Sequence, residues 1–156
     1  MLTDLPKPEI EGIALDHRGI QEILPHRYPF LYIDRVNSIN LDDEEIECQK
    51  NISFNEPYFQ GHFPSDPVTP GVIQIETMAQ AATILIVLKY EEENKGKRPA
   101  FMGVDKCRFR KPVRPGDVLT VKAKIVKYRR GVGTVEAEIS ANGQVVSNAT
   151  LMATMI

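Results

Sequence analysis

Three residues between positions 62 and 76 could share one reaction: His62, Gly71 and Glu76. His62 sits in a Pro/Gly-rich run from Phe59 to Gly71, and a neutral imidazole can take up a proton near pH 7. Glu76 is the one acid in an apolar stretch that runs from Val72 to Leu85. A carboxylate buried without a partner costs several kcal/mol, so such a group is paired, protonated or functional. A carboxyl group in an apolar site holds its proton more readily and can give it up to a leaving group. A glycine at a helix start lets a substrate come close. Its N–H points outward with the helix dipole behind it, a natural partner for a thioester carbonyl as it becomes enolate-like. One base and one acid beside an apolar tunnel suit proton abstraction next to a carbonyl, followed by loss of a β-leaving group. A loop histidine alone needs no catalytic role. Glu76 alone could equally be a structural carboxylate held by Gln80 and a backbone donor.

The elements that must position these groups can be read from periodicity. At 100° per residue Glu76, Gln80 and Thr83 fall on one narrow stripe of a helix that is apolar on its other faces. That helix should start near Pro70-Gly71, with Thr69 close to the N-cap, and run to about Glu92. Before it, Asp16 should cap a short helix over 17–24, with His17 exposed in its first turn and Pro25 at its end. Strands are expected over 31–39 and 46–52, joined by the turn chemistry of 40–43. Asn55-Glu56-Pro57 reads as a turn or helical start that leads to the His62 loop. After the helix the period changes to two. Strands are expected over 100–110, 118–130, 134–141 and 144–156, with Asn142-Gly143 as the strongest hairpin signal. Leu119, Val121, Ala123 and Ile125 share one strand face, as do Val135, Ala137, Ile139 and Ala141. A helix apolar on most faces must be surrounded. An antiparallel sheet of five or six strands curled round one long buried helix satisfies both elements, which is the α+β hot-dog architecture.

Composition narrows the function. The 156 residues are 42% apolar and 26% charged with a net charge of −2, so one domain with a real core is expected and no global basic signature for nucleic acid is present. The run 81–88 is too short to span a bilayer. Residues 1–16 carry Asp4, Glu9, Glu11 and Asp16, do not read as a signal peptide, and are taken as a tail ahead of a domain over 17–156. Cys48 and Cys107 lack any metal-type spacing and read as reduced core residues of a cytoplasmic protein. No metal or cofactor is implied.

The chain resembles the β-hydroxyacyl-[acyl-carrier-protein] dehydratases of bacterial-type fatty acid synthesis, of the broad-range, non-isomerising kind. The resemblance rests on Leu24-Pro-His-Arg-Tyr-Pro-Phe-Leu31, Asp34-Arg35-Val36, Asn55-Glu56, Gly61-His-Phe-Pro64, Pro70-Gly71, Glu76 with Met78-Ala79-Gln80, and Phe109 through Pro115-Gly116-Asp117. It covers roughly residues 18 to 156. It implies that His62 removes the α-proton and that Glu76 protonates the departing β-hydroxyl, directly or through a water. It implies that the Gly71 N–H polarises the thioester carbonyl. It further implies homodimers whose sites take His62 from one protomer and Glu76 from the other, with trimers of such dimers common. Glu76 stands where the related dehydratase/isomerase has Asp, which favours dehydration without isomerisation. The partner implied is an acidic acyl carrier protein, and Lys106, Arg108, Arg110, Lys111 and Arg114 could steer it or could simply be a solvated strand face. Lys122, Lys124, Lys127, Arg129 and Arg130 read as strand solvation, and His26 and Arg27 as structural residues near a protomer contact. Phe30, Tyr58, Phe59, Phe63, Phe101 and Phe109 are candidates for core or tunnel wall. Two other readings stay open: a hot-dog acyl-thioesterase, and a non-catalytic acyl-binding module.

Overall fold

A computed structural model describes residues 2–156. Six antiparallel strands form one sheet: β1 (Arg35–Asn40), β2 (Glu45–Asn51), β3 (Pro99–Phe109), β4 (Val118–Arg129), β5 (Val132–Ala141) and β6 (Gln144–Met155). Their spatial order is β1-β2-β4-β5-β6-β3, so β1 and β3 are the edges. Around the sheet lie α1 (His17–Ile23), the long α2 (Gly71–Lys89) and the single turn α3 (Glu91–Asn94). This is the hot-dog fold.

The sheet curls because its ladders are interrupted. Register shifts fall between Val36 and Ser38, Phe101 and Gly103, Asp105 and Arg108, and Ile125 and Lys127, and each such bulge bends its strand and adds twist. The curled inner face presents Leu119, Val121, Ala123 and Ile125 of β4 beside Val135, Ala137, Ile139 and Ala141 of β5, all buried. Against them α2 buries Met78, Ala81, Ala82, Ile84, Leu85 and Leu88. Gly71–Lys89 is long and apolar enough to cross a membrane by length and composition, yet 67% of that window is buried inside the protein. It is the core of the fold.

Several boundaries differ from the sequence reading, each for a physical reason. The first strand begins at Arg35 rather than Leu31, because the Tyr32 N–H leaves the ladder and donates to Gln80 Oε1 at 2.8 Å. The N-cap of α2 is Pro70, with no side-chain cap, because Thr69 is held back by its N–H bond to Val113 O at 2.8 Å. The helix ends at Lys89, and 91–94 form a separate turn. Val132 and Gly133 belong to β5, not to the preceding turn. Cys48 is buried, but Cys107 is half-exposed on edge strand β3. At the N-terminus Leu15 is 2% exposed and bridges to Val36. Asp16 caps α1 through the N–H groups of Arg18 and Gly19, and His17 is exposed as expected.

Candidate active site

Glu76 lies on α2. Glu76 is 17% exposed, and its Oε1 accepts from Gln80 Nε2 at 2.9 Å. Gln80 is buried and fully used: Nε2 also donates to Phe30 O at 2.8 Å, and Oε1 accepts the Tyr32 N–H. The i, i+4 pair seen in the sequence therefore exists, and it locks the loop 30–32 onto the helix. Thr83 extends the stripe but bonds back to Ala79 O at 2.9 Å. Glu76, Gln80 and Thr83 line a cavity of about 230 Å³, closed by Phe30, Phe101 and Ala153 among others. Glu76 thus has the structural partner that a purely structural reading asks for, and it also faces a cavity.

His26, read from the sequence as structural, lines the same cavity. Its Nε2 lies 3.5 Å from Glu76 Oε1, and its Nδ1 is buried without a hydrogen-bond partner. Burial pushes the imidazole below its ordinary value; Glu76 opposes that shift and Arg27 adds to it. His26 thus lies against Glu76 in the same cavity. Nothing in the local spacing ties position 26 to position 76. The irregular Pro25–Pro29 segment brings them together only in the fold. Arg27 is structural, as read: it donates to the carbonyls of Leu24, His26 and Gln21 and closes the C-terminus of α1.

His62 lies on the loop between the 3₁₀ turn Pro57–Gln60 and α2. The His62 N–H donates to Tyr58 O at 3.0 Å, and His62 O accepts from Val68 N at 3.1 Å, so the backbone is pinned on both sides. The ring nitrogen Nδ1 lies 2.7 Å from Val68 O. A carbonyl oxygen only accepts, so Nδ1 carries a proton, and in the neutral ring the lone pair is on Nε2. The ring packs on Phe63 at 4.1 Å between centroids. Within one chain His62 is not among the residues that line the Glu76 cavity.

Gly71 is the first residue of α2, so its N–H has no acceptor within the helix. A Cβ here would lie 2.8 Å from Phe109 Cζ, so a larger residue would push that ring aside. Of the six candidate aromatic residues only Phe59 is buried, and Tyr58 is half-buried, its hydroxyl pushed up to about 12 mainly by burial. Phe30, Phe63, Phe101 and Phe109 are 47%, 51%, 45% and 51% exposed, and with Val72 and Met102 they leave much apolar surface near the helix start and β3. The five basic residues from Lys106 to Arg114 are exposed. Arg114 pairs with Asp66 at 2.6 Å, and Arg110 donates to Asn148. Among the described residues no group of three His, Cys, Asp or Glu side chains is placed to hold a metal ion.

Comparison with known proteins places this geometry. The FabA-like domain family model matches residues 24–150. The chain is 48% identical over 141 residues to the 3-hydroxyacyl-[acyl-carrier-protein] dehydratase FabZ of Syntrophobacter fumaroxidans, covering 90% of this chain and 94% of that protein. It is 45% identical over 133 residues to the FabZ dehydratase of Caldicellulosiruptor bescii, covering 85% and 93%. It is 48% identical over 145 residues to the bifunctional enzyme LpxC/FabZ of Chlorobaculum tepidum, covering 93% of this chain but only 31% of that larger protein. Among solved structures, the dehydratase heterocomplex ApeI:P from Xenorhabdus doucetiae superposes with a TM-score of 0.72 at 24% identity, over 88% of this chain and 90% of that one. A hypothetical thioesterase with coenzyme A from Streptococcus pneumoniae gives a TM-score of 0.61 at 13% identity, over 87% and 90%. The structural likenesses speak to the fold alone, but the family match and the high identities over nearly whole chains leave one assignment: the chain belongs to the FabA-like family, among the FabZ-type dehydratases.

Proposed function

We propose that the chain dehydrates (3R)-hydroxyacyl-[acyl-carrier-protein] thioesters to trans-2-enoyl thioesters in fatty acid elongation, without a cofactor. His62 Nε2 takes the α-proton. The electron pair left behind forms the new double bond, the β C–O bond breaks, and Glu76 gives its proton to the departing hydroxyl, which leaves as water. The Gly71 N–H receives the carbonyl charge that builds up during proton removal. The observation that carries this reading is the contact of His62 Nδ1 with Val68 O at 2.7 Å: with Nδ1–H donated there, the neutral ring has its lone pair at Nε2. A thioesterase gives that histidine no particular task.

His62 and the Glu76 cavity are two halves that one chain does not join, which supports a homodimer whose sites are shared between protomers, with trimers of dimers as a further level. The exposed apolar side chains beside the cavity and the free edge of β3 are the surface such a contact would cover. The basic residues of 106–114 suit the approach of an acidic carrier protein.

The test is dehydration of a β-hydroxyacyl carrier-protein thioester, followed at the enoyl chromophore. His62→Ala and Glu76→Gln should each remain folded and lose on the order of 10²–10⁴-fold in kcat. A wild type that cleaves acyl thioesters and does not dehydrate them would replace this reading with a hydrolase. A wild type that does neither yet binds acyl chains would make the fold an acyl-binding module.

A further inference from the structure

A lysine is buried on the core side of the sheet. Lys50 follows Ile46 and Cys48 along the inward face of β2 and is 6% exposed. Its Nζ lies 2.6 Å from Glu56 Oε1 and 3.7 Å from Asp34 Oδ2. Stability gives no reason for this arrangement, since well-packed apolar residues of similar volume generally hold a core as well as a buried ion pair or better. The attachment of the two carboxylates gives one.

Glu56 is the residue from which the 3₁₀ turn Pro57–Gln60 starts. Within that turn Tyr58 supplies the carbonyl that accepts the His62 N–H at 3.0 Å. Asp34 ends the segment in which the Tyr32 N–H binds Gln80 Oε1, and Gln80 Nε2 in turn binds Glu76. Asp34 is itself fixed, with Oδ2 accepting the Asn51 N–H at 2.6 Å. One ammonium therefore stands between the segment that carries His62 and the segment that braces Glu76.

We propose that Lys50, acting through Glu56 and Asp34, is a positioning residue that holds the His62 loop and the Gln80–Glu76 pair in fixed relation. The proposal rests on the reading of His62 and Glu76 as base and acid. If active sites are shared between protomers, the two groups braced by one Lys50 serve different sites, so a single cluster sets half of each.

The experiment compares Lys50→Met, Lys50→Arg and Glu56→Gln with wild type in two assays. In the first, kcat and KM for the carrier-protein thioester are measured well below each variant's Tm. Lys50→Met and Glu56→Gln should lower kcat by roughly 10- to 100-fold with KM little changed, the scale of an ångström-sized misplacement of reacting groups, and Lys50→Arg should recover much of the loss. In the second, amide hydrogen exchange is followed residue by residue. The Tyr32 and His62 amides should exchange faster in Lys50→Met, while those of β4 and β5 keep their wild-type rates. Unchanged kcat in a folded Lys50→Met, or exchange that rises evenly through the molecule, would overturn the proposal. If Lys50→Met does not fold, Glu56→Gln decides, because it leaves the lysine beside Asp34. If wild type lacks dehydratase activity, the catalytic reading fails by itself, and selective exchange at Tyr32 and His62 still decides whether Lys50 organises both segments.

Discussion

Two single residues, Gly71 and His26, bear on the proposed site. A methyl group at position 71 would meet the Phe109 ring, which is half-exposed and can swing away. Gly71→Ala should therefore keep its Tm within a few degrees yet lose on the order of 10²-fold in kcat, because the ring or the substrate carbonyl is displaced from the helix start; thermal melts and steady-state kinetics check the two halves separately. His26 bears on pH. Burial beside Phe30 and Arg27 lowers its pKa in the fold despite the opposing charge of Glu76, so folding favours the neutral ring. Its contribution is complete above the ordinary imidazole value and is lost as pH falls through that value toward the lower folded one. Between about pH 7 and pH 5 the Tm of wild type should fall more steeply than that of His26→Asn. Equal slopes would remove His26 as the source. The acid on an apolar helix and the glycine at its start were visible in the sequence because residue type and spacing are local facts. The His26–Glu76 contact was not, because it is made by a loop with no periodicity, closed by Gln80 from fifty residues away.

At the scale of elements, period-two alternation located β4, β5 and β6 to within a residue or two, and one cross-strand rule explains their outer faces. Lys124 pairs with Glu45 at 2.8 Å and Lys122 approaches Glu47 at 3.9 Å, so the basic run on β4 is a solvated ladder, as read. Ends set by tertiary partners were less legible. Thr69 looked like a cap but is bonded to Val113, and Gly133 looked like a turn residue but lies in β5. The reason at Gly133 is packing: a Cβ there would stand 2.8 Å from Ile86 Cδ1 of α2, so the missing side chain is what lets the helix settle on the sheet. Gly133→Val should cost about 1–3 kcal/mol through overpacking. Denaturant titration measures it, and a neutral result would mean that Ile86 finds room elsewhere.

For the whole molecule the informative experiment mixes two dead enzymes. Dimers exchanged between His62→Ala and Glu76→Gln subunits should regain about a quarter of wild-type activity if each site draws on both protomers, since half the dimers would then carry one intact site. No recovery after verified exchange would place each site within one chain. The fold class was legible because a helix apolar on nearly all faces admits few environments, but a pairing of protomers leaves no periodic trace; the support for it is the separation of His62 from the Glu76 cavity, the β3 edge and the exposed aromatic side chains beside the cavity. The same helix has a consequence for biosynthesis. Gly71–Lys89 is synthesised before β4, β5 and β6, three of the strands that pack on it. Until those strands are added, the nascent chain holds an uncovered apolar segment whose 18-residue window has mean hydropathy 1.6, a hazard for aggregation during synthesis. Glu76 and Gln80, from the polar stripe that faces the cavity in the finished protein, together with Gln74 also make that segment a poorer membrane span.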